Sequence, residues 1–479
     1  MSPLATVGIV CGYFAVLVLI SWLTTRRVQA DSFYLGNRRS PWYVIAFGMV
    51  GSSTSGVTFV SVPGMVAVSQ FSYIQMALGF VVGYVVVAQV LLPLYYGLGL
   101  TSIYAYLGQR FGKASYKTGA AFFLLSRLLG SAIRLLVVAV VLQSLVFDKL
   151  GVPFAANVVL TIVLIFLYTH KGGIKTIIWT DTLQTLALLL TLVLCIVGLA
   201  KSMGMGLGGV YELVRDSEFS RTFFFDDPND KRYFWKQFLA GIFTTITMTG
   251  LDQDLMQKNL SCKNIREAQR NMRTYGLAFL PVILLFLSLG AMLYAFAARN
   301  AIALPASPDE LFPLIATGGF LSPVVGVLFV VGIIAAAYSS ADSALTALTT
   351  SFTIDILGIP STDPLLRRKR RWVHLSMCVA FLALIIAFRR FYSQSIINTV
   401  YDVAGLTYGP LLGMFAFGLF TRMKVRDGYV PLVAVLSPLL AFALKHYSPL
   451  LFGGYQIGFE LLIINGAITF LGMVLLRKK

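Results

Sequence analysis

The sequence predicts an all-α integral membrane protein with about thirteen transmembrane helices. Three observations predict it. Hydrophobic residues make up 57% of the 479-residue chain and charged residues only 12%. The mean hydropathy is +0.81, which belongs to a polytopic membrane protein and not to a soluble enzyme. The apolar runs are long enough to cross a hydrocarbon core of about 30 Å, and the period-two alternation of a membrane barrel is absent.

The spans lie near residues 5–25, 41–69, 74–97, 118–146, 154–169, 175–200, 234–256, 274–298, 318–354, 372–388, 395–420, 429–444 and 456–476. They form one transmembrane domain over 1–479: a leading span (5–25), a first block (41–200), a second block (234–420) and two trailing spans (429–476). MSPLATVG at the start lacks a basic segment, so the first span reads as an uncleaved helix. Cys11, Cys195, Cys262 and Cys378 show neither disulfide pairing nor zinc spacing.

Charge sets the expected orientation. About two thirds of the 38 Lys and Arg residues fall in alternate loops, near 26–39, 110–117, 171–175, 258–273, 367–371, 422–426 and 477–479. The positive-inside rule therefore puts the N-terminus outside and the C-terminus in the cytoplasm. The net charge of +18 is then topology. RRKRR at 367–371 reads as a cytoplasmic loop, and no nucleic-acid partner is expected.

The second span carries Gly51, Ser52, Ser53, Thr54, Ser55 and Gly56 at its middle, with Pro63 beyond. Such a stretch is either a broken helix, whose freed carbonyls build ion and substrate sites, or a tightly packed small-residue helix. Arg127 and Arg134 lie inside the fourth span. Arg134 falls near the midplane, where an arginine either grips a carboxylate or phosphate or forms a structural ion pair, for example with Asp181. Arg127 lies nearer the cytoplasm, within reach of the membrane surface.

Asp181 opens the sixth span among Thr180, Thr182, Gln184 and Thr185. It reads as a cation ligand or a helix-start carboxylate. The seventh span holds Thr244, Thr245, Thr247, Thr249 and Gly250 and then Leu-Asp-Gln-Asp, a second interrupted helix. Polar, glycine-interrupted segments at the start of two five-span blocks point to an inverted repeat around a midplane site. In the ninth span, helical spacing places Ser339, Asp342, Ser343 and Thr346 on one stripe. A carboxylate with hydroxyls on one face is a set of hard oxygen ligands for a small hard cation. The external stretch 200–232 predicts solvated cover with one short helix. In the eleventh span, Gly405, Gly409 and Pro410 suggest a hinge or a proline kink, and Asn398, Tyr401 and Tyr408 are candidates to face a cavity.

GGIKTIIWTDTLQ at 172–184, GLDQDLMQKNLSCKNIREAQRN at 250–271, AAAYSSADSALT at 335–346 and AGLTYGPLLGMFAFGLF at 404–420 resemble the sodium/solute symporter family. The likeness is nearest to its bacterial sialic-acid-symporter-like branch. It implies a leucine-transporter fold with a five-plus-five inverted repeat, one leading span and two trailing ones. It implies a main sodium site from carbonyls of Gly51, Thr54 and Ala336 and hydroxyls of Ser339 and Ser340. A second sodium site would use Asp181, Ser339, Asp342 and Ser343. Ser53, Ser55, Thr58, Tyr73, Gln75 and Arg134 would bind the substrate, with Ala77 standing where the branch carries its glutamine.

The function expected is sodium-coupled import of a small organic solute, favoured an organic anion or sugar acid, by alternating access. The alternative is a neutral sugar, amino acid or vitamin with Arg134 structural. Na+ is the only cofactor expected, in a multi-pass protein of the cell membrane that works as a monomer in the bilayer. Two other classes fall away. A sensor would need a signalling module after the last span. An embedded enzyme would need a cluster of bases or ligands, whereas His170, His374 and His446 sit at separate span ends.

Overall fold

A computed structural model describes residues 3–25, 38, 40–169, 173–359, 365–391 and 396–478. Arg26, Arg27, Arg39, His170, Lys171 and Lys479, used in the sequence reading, lie outside the described residues. Regular structure among the described residues is helical, apart from two isolated bridges that pair Ser40 with Cys262 and Val425 with Arg477. That is the expected response of an apolar chain to lipid, where a helix satisfies its own N–H and C=O groups.

The principal helices are α1 (Pro3–Thr25), α2 (Trp42–Ser53), α3 (Gly56–Gly64), α4 (Tyr73–Gly97), α5 (Lys113–Leu150), α6 (Phe154–Thr169) and α7 (Gly173–Ser202). After them come α8 (Phe234–Thr245), α9 (Gln253–Leu260), α10 (Ile265–Arg299), α11 (Pro323–Ser351), α12 (Leu366–Phe388), α13 (Ile396–Phe420), α14 (Val430–Leu451) and α15 (Leu461–Leu475). Among the described residues, eight helices are long and apolar enough to cross a membrane, or nine if α2 and α3 count as one bent span. A short helix, Leu207–Arg215, sits in the 200–232 stretch, where one short helix was expected.

α11 runs through the centre. Every residue from Gly332 to Ser351 is buried, and the helix packs along α7, α5 and the α2–α3 pair. Ala335, Ala336, Ala337, Ala341 and Ala344 permit that approach, because small side chains let membrane helices come close. The outer helices reverse the pattern of a soluble protein. On α7, Leu186 and Leu190 are 54% and 53% exposed toward the apolar surroundings, while Asp181 is 1% exposed inside.

Two helices are interrupted where the polar runs stand. α2 and α3 meet at 58° across Thr54 and Ser55, whose ψ angles of 81° and 169° leave the helical region. α8 passes into a π turn, Ile246–Gly250, and the chain restarts as α9. Asp252 caps α9 by accepting from the backbone N–H groups of Asp254 and Leu255.

The hinge suggested at Gly405–Pro410 is not seen: α13 is one helix of 25 residues with Pro410 inside it. Pro410 lacks the N–H that the Leu406 carbonyl would accept from. Asn465 of α15 supplies it, donating to Leu406 O at 2.8 Å and Gly405 O at 3.0 Å. Gly409 is small because Asn465 stands against it; a Cβ there would lie 2.2 Å from Asn465 Nδ2.

α4 and α8 touch backbone to backbone. A Cβ on Gly241 would come 2.2 Å from Met76 O, and one on Gly79 2.2 Å from Phe238 O. Gly241→Val should therefore lower stability by about 1–3 kcal/mol, the usual range for overpacking. Gly130→Ala, where nothing stands within 4 Å of an added Cβ, should change it little. Thermal unfolding of purified protein in detergent compares the two.

Candidate functional site

The interrupted helices enclose a cavity. Ser52, Ser53, Ser55 and Thr58 face it from α2–α3, Tyr73, Phe80 and Tyr84 from α4, and Arg127 and Arg134 from α5. Thr244, Thr245 and Thr249 line it from the α8 segment, Tyr275 and Phe279 from α10, and Tyr401 from α13. The walls thus mix hydroxyls, aromatic faces and two guanidinium groups. Ser53 Oγ lies 2.5 Å from Tyr275 OH, which accepts from Tyr84 OH at 2.7 Å. Tyr73 and Tyr401 join their hydroxyls at 2.9 Å.

The two arginines differ in their company. Arg127 is 5% exposed and paired with Asp254 and, at 3.6 Å, with Asp252. Tyr408 donates to Asp252 at 2.5 Å. Arg127 is therefore held inside the bundle and does not reach the membrane surface, which corrects the sequence expectation. Arg134 has no hydrogen-bond or salt-bridge partner among the described residues. Asp181 is not its partner, because Asp181 is committed elsewhere.

Asp181 is the hub of a second cluster. Its Oδ1 accepts from Ser339 Oγ at 2.7 Å and its Oδ2 from Ser52 Oγ at 2.8 Å and Ser343 Oγ at 3.3 Å. The cluster also contains a residue that the sequence reading assigned to a cytoplasmic loop. Lys258 of α9 is 1% exposed, and its ammonium reaches Asp181 Oδ2 at 2.7 Å, Ser52 Oγ at 2.7 Å and Ser343 Oγ at 2.9 Å. Asp254 Oδ1, one turn back on α9, is 3.7 Å away. The i, i+4 pairing of Asp254 with Lys258 was the signal in the sequence. Asp342 does not join this ring. It accepts from Tyr168 OH at 3.0 Å and from Ser343 N at 2.6 Å.

The break meets α11 next to residues expected at the main sodium site. A Cβ on Gly56, just past the break, would lie 3.7 Å from the Cβ of Ala337, the neighbour of Ala336. Thr54 is fully buried at the break, and its Oγ1 has no hydrogen-bond partner among the described residues. Ser340 Oγ donates to Ala337 O at 3.0 Å, which leaves its lone pairs free to face a cation. Gly51 lies against α7, where a Cβ would meet Thr185 Oγ1 at 2.0 Å.

Five of the six residues expected to bind substrate line the cavity: Ser53, Ser55, Thr58, Tyr73 and Arg134. Gln75 does not. Its amide is fully buried, donating to Ser72 O and Arg232 O and accepting from Phe224 N. It fastens the 200–232 stretch to α4, and those partners are distant in sequence. Asn398 is exposed and outside the cavity wall. Tyr84 and Tyr275 were missed; Tyr84 lies in an apolar run with no polar neighbour to mark it, and Tyr275 follows Arg273 and Thr274 at the start of a span, where it reads as part of the basic loop.

A hydroxyl-lined cavity between interrupted helices at the centre of a helical membrane bundle defines the class, a multi-pass membrane transporter. The chain belongs to the sodium:solute symporter family, whose family model matches residues 33–429. Among its relatives, the sodium/sialic acid symporter SiaT of Proteus mirabilis is 25% identical over 479 residues, covering 96% of this chain and 94% of that one. Sodium-coupled monocarboxylate transporter 1 of Homo sapiens is 28% identical over 411 residues, 81% of this chain. The aligned part spans 64% of that relative's length. A solved Na+-coupled sialic acid symporter, in a substrate-bound outward-open state, shares the fold with a TM-score of 0.83 at 21% identity, covering 99% of this chain and 98% of that chain.

Removing the Asp181 charge leaves the Lys258 ammonium without its nearest counter-charge in a buried place. Asp181→Asn should cost about 3–5 kcal/mol of stability, the range for breaking one side of a buried pair. Ser52→Ala, which removes a neutral hydroxyl from the same ring, should cost about 1 kcal/mol. Chemical denaturation of the purified variants reads both, and equal losses would sink the assignment of Asp181 as the hub.

Proposed function

We propose that this protein is a sodium-coupled symporter that imports a small organic anion, of the monocarboxylate or sugar-acid kind, by alternating access. The observation that carries the reading is Arg134: a guanidinium without a partner among the described residues, in a cavity whose other polar groups are hydroxyls and the already paired Arg127. A planar guanidinium matches a carboxylate through two parallel hydrogen bonds. The serines and threonines of α2–α3 and α8 suit the hydroxyls of a sugar acid. Family membership and the names of the two relatives, a sialic acid symporter and a monocarboxylate transporter, support the same class.

Sodium is proposed to bind between the break and α11, held by carbonyls of Gly51, Thr54 and Ala336 and hydroxyls of Ser339 and Ser340. The unpartnered Thr54 Oγ1 at that place supports the assignment. A cation there ties the broken helix to α11 and favours one arrangement of the cavity, which is how an ion becomes coupled to a solute. The finer architecture follows the same reading. Counting the α2–α3 pair, the interrupted α8–α9 segment and the shorter apolar helices gives about thirteen crossings. They are arranged as a five-plus-five inverted repeat of the leucine-transporter type, with the N-terminus outside and the C-terminus cytoplasmic. The protein works as a monomer in a bacterial inner membrane and binds no nucleic acid.

Uptake into proteoliposomes with and without an inward sodium gradient tests this with a panel of monocarboxylates, sugar acids and their neutral analogues. Arg134→Ala should weaken the anion by about 1.5–3 kcal/mol, the value of a hydrogen bond to a charged group, or roughly tenfold to a hundredfold in half-saturation. The sodium requirement should be unchanged. Equal loss for neutral solutes would make Arg134 structural. Ser339→Ala combined with Ser340→Ala should instead raise the sodium concentration for half-maximal uptake, and an unaltered sodium dependence would remove those hydroxyls from the site.

A further inference from the structure

We infer that the Lys258 ammonium is a tethered cation standing in the place of a second sodium ion, so that each transport cycle carries one sodium ion and not two. The cage is the one described above: the Asp181 carboxylate of α7, the Ser52 hydroxyl of α2 and the Ser343 hydroxyl of α11. These are hard oxygen ligands of the kind a sodium ion takes. An ammonium has three N–H donors and no acceptor, and the cage offers three oxygens between 2.7 and 2.9 Å. Each donor therefore has a partner. Ser339 completes the polar wall by donating to the other oxygen of Asp181 at 2.7 Å.

A second cation in this cage would stand against a like charge in a buried setting, where charges interact strongly. The remaining charges around it do not relieve that conflict. Asp254 is shared with Arg127, and Asp342 is turned to Tyr168. The cage is thus electrostatically complete with the lysine in it.

The consequence for coupling depends on the symport reading given above; the placement of the lysine does not. A free ion crosses the membrane and releases the energy of its gradient once for each cycle. A charge fixed to α9 never leaves the protein and releases none. Lys258 still ties α9 to α2, α7 and α11, as a bound ion would, but it does so in every state in which the cage is closed.

The experiment uses the full chain purified in detergent, with radioactive sodium alone as the probe. Saturation binding should count one sodium ion per wild-type chain. Lys258→Ala empties the cage and exposes the Asp181 carboxylate, so this variant should bind a second ion and gain a sodium-specific rise in thermal stability over potassium. Two ions per wild-type chain would overturn the inference, and so would a single ion for a folded Lys258→Ala. If that variant does not fold, Lys258→Met with Asp181→Asn makes the cage neutral. It should bind one ion like the wild type, and the wild-type count decides by itself. Sodium binding by Lys258→Ala with none by the wild type would defeat the symport reading and leave the lysine assignment standing.

Discussion

A carboxylate placed inside a membrane bundle needs compensation, because desolvating an ion costs several kcal/mol even after the protein relaxes. Asp181 is where this chain meets that constraint, and the centre of the molecule is arranged around the solution. Ser52, Ser339, Ser343 and Lys258 all turn toward it. They come from the broken helix, from the central helix and from the short helix after the second interruption. One side chain thereby fixes the relative positions of α2, α7, α9 and α11. The same residues border the place where the main sodium ion is proposed to bind, so ion binding and the fixed charge act on the same helices.

The interruptions are compatible with lipid because they are covered. Irregular backbone at membrane depth is tolerated where protein or a polar cavity surrounds it. The break at Thr54 and Ser55 faces α11 and the cavity, and Thr54 is fully buried. The break after Gly250 is closed by the Asp252 cap, while Tyr95 and Tyr104 donate to Gly250 O at 2.8 Å and Leu251 O at 2.9 Å. The close contact of α4 with α8 at Gly79 and Gly241 brings the walls of the cavity together. Glycine permits the close packing, whereas the broken backbone runs through Thr54, Ser55, Leu251 and Asp252 and is held by the groups that cover it.

How much of this was legible in the sequence depends on where the partners of each residue lie. The two interruptions were readable because their cause is local, glycines and alcohols within a few residues of each other. Arg134 was readable because its depth follows from the span boundaries. Lys258 was not, because a lysine between Gln257 and Asn259, close to further basic residues, is sorted with the loop charges. Its i, i+4 spacing from Asp254 is a weak local signal, and the return of α9 into the bundle, next to an aspartate on α7, is what separates it from them. Gln75 failed for a similar reason, since its partners Phe224 and Arg232 belong to the distant 200–232 stretch. At Gly405 and Gly409 the residues were singled out but their purpose was misread. A glycine beside a proline signals flexibility only if nothing fills the gap, and here Asn465 fills it and satisfies the carbonyls.

The contrast between Arg127 and Arg134 separates scaffold from binding group on physical grounds. Both lie on α5, two turns apart, and both look into the same cavity. Arg127 is neutralised by Asp252 and Asp254 and linked through Asp254 to Lys258. Its removal would leave two carboxylates short of a counter-charge, so its role is to complete the charged band beneath the cavity. Arg134 completes no ion pair or hydrogen bond among the described residues. Arg134 is half-buried in the cavity wall; a charge without a partner in the interior of a membrane bundle is a cost that folding alone does not explain, and a ligand bringing a negative charge to that position would offset it on binding. The same reasoning sets the division of labour in the proposed transport reading. The cation at Asp181 is already covalently present, whereas the anion proposed for Arg134 would arrive from outside.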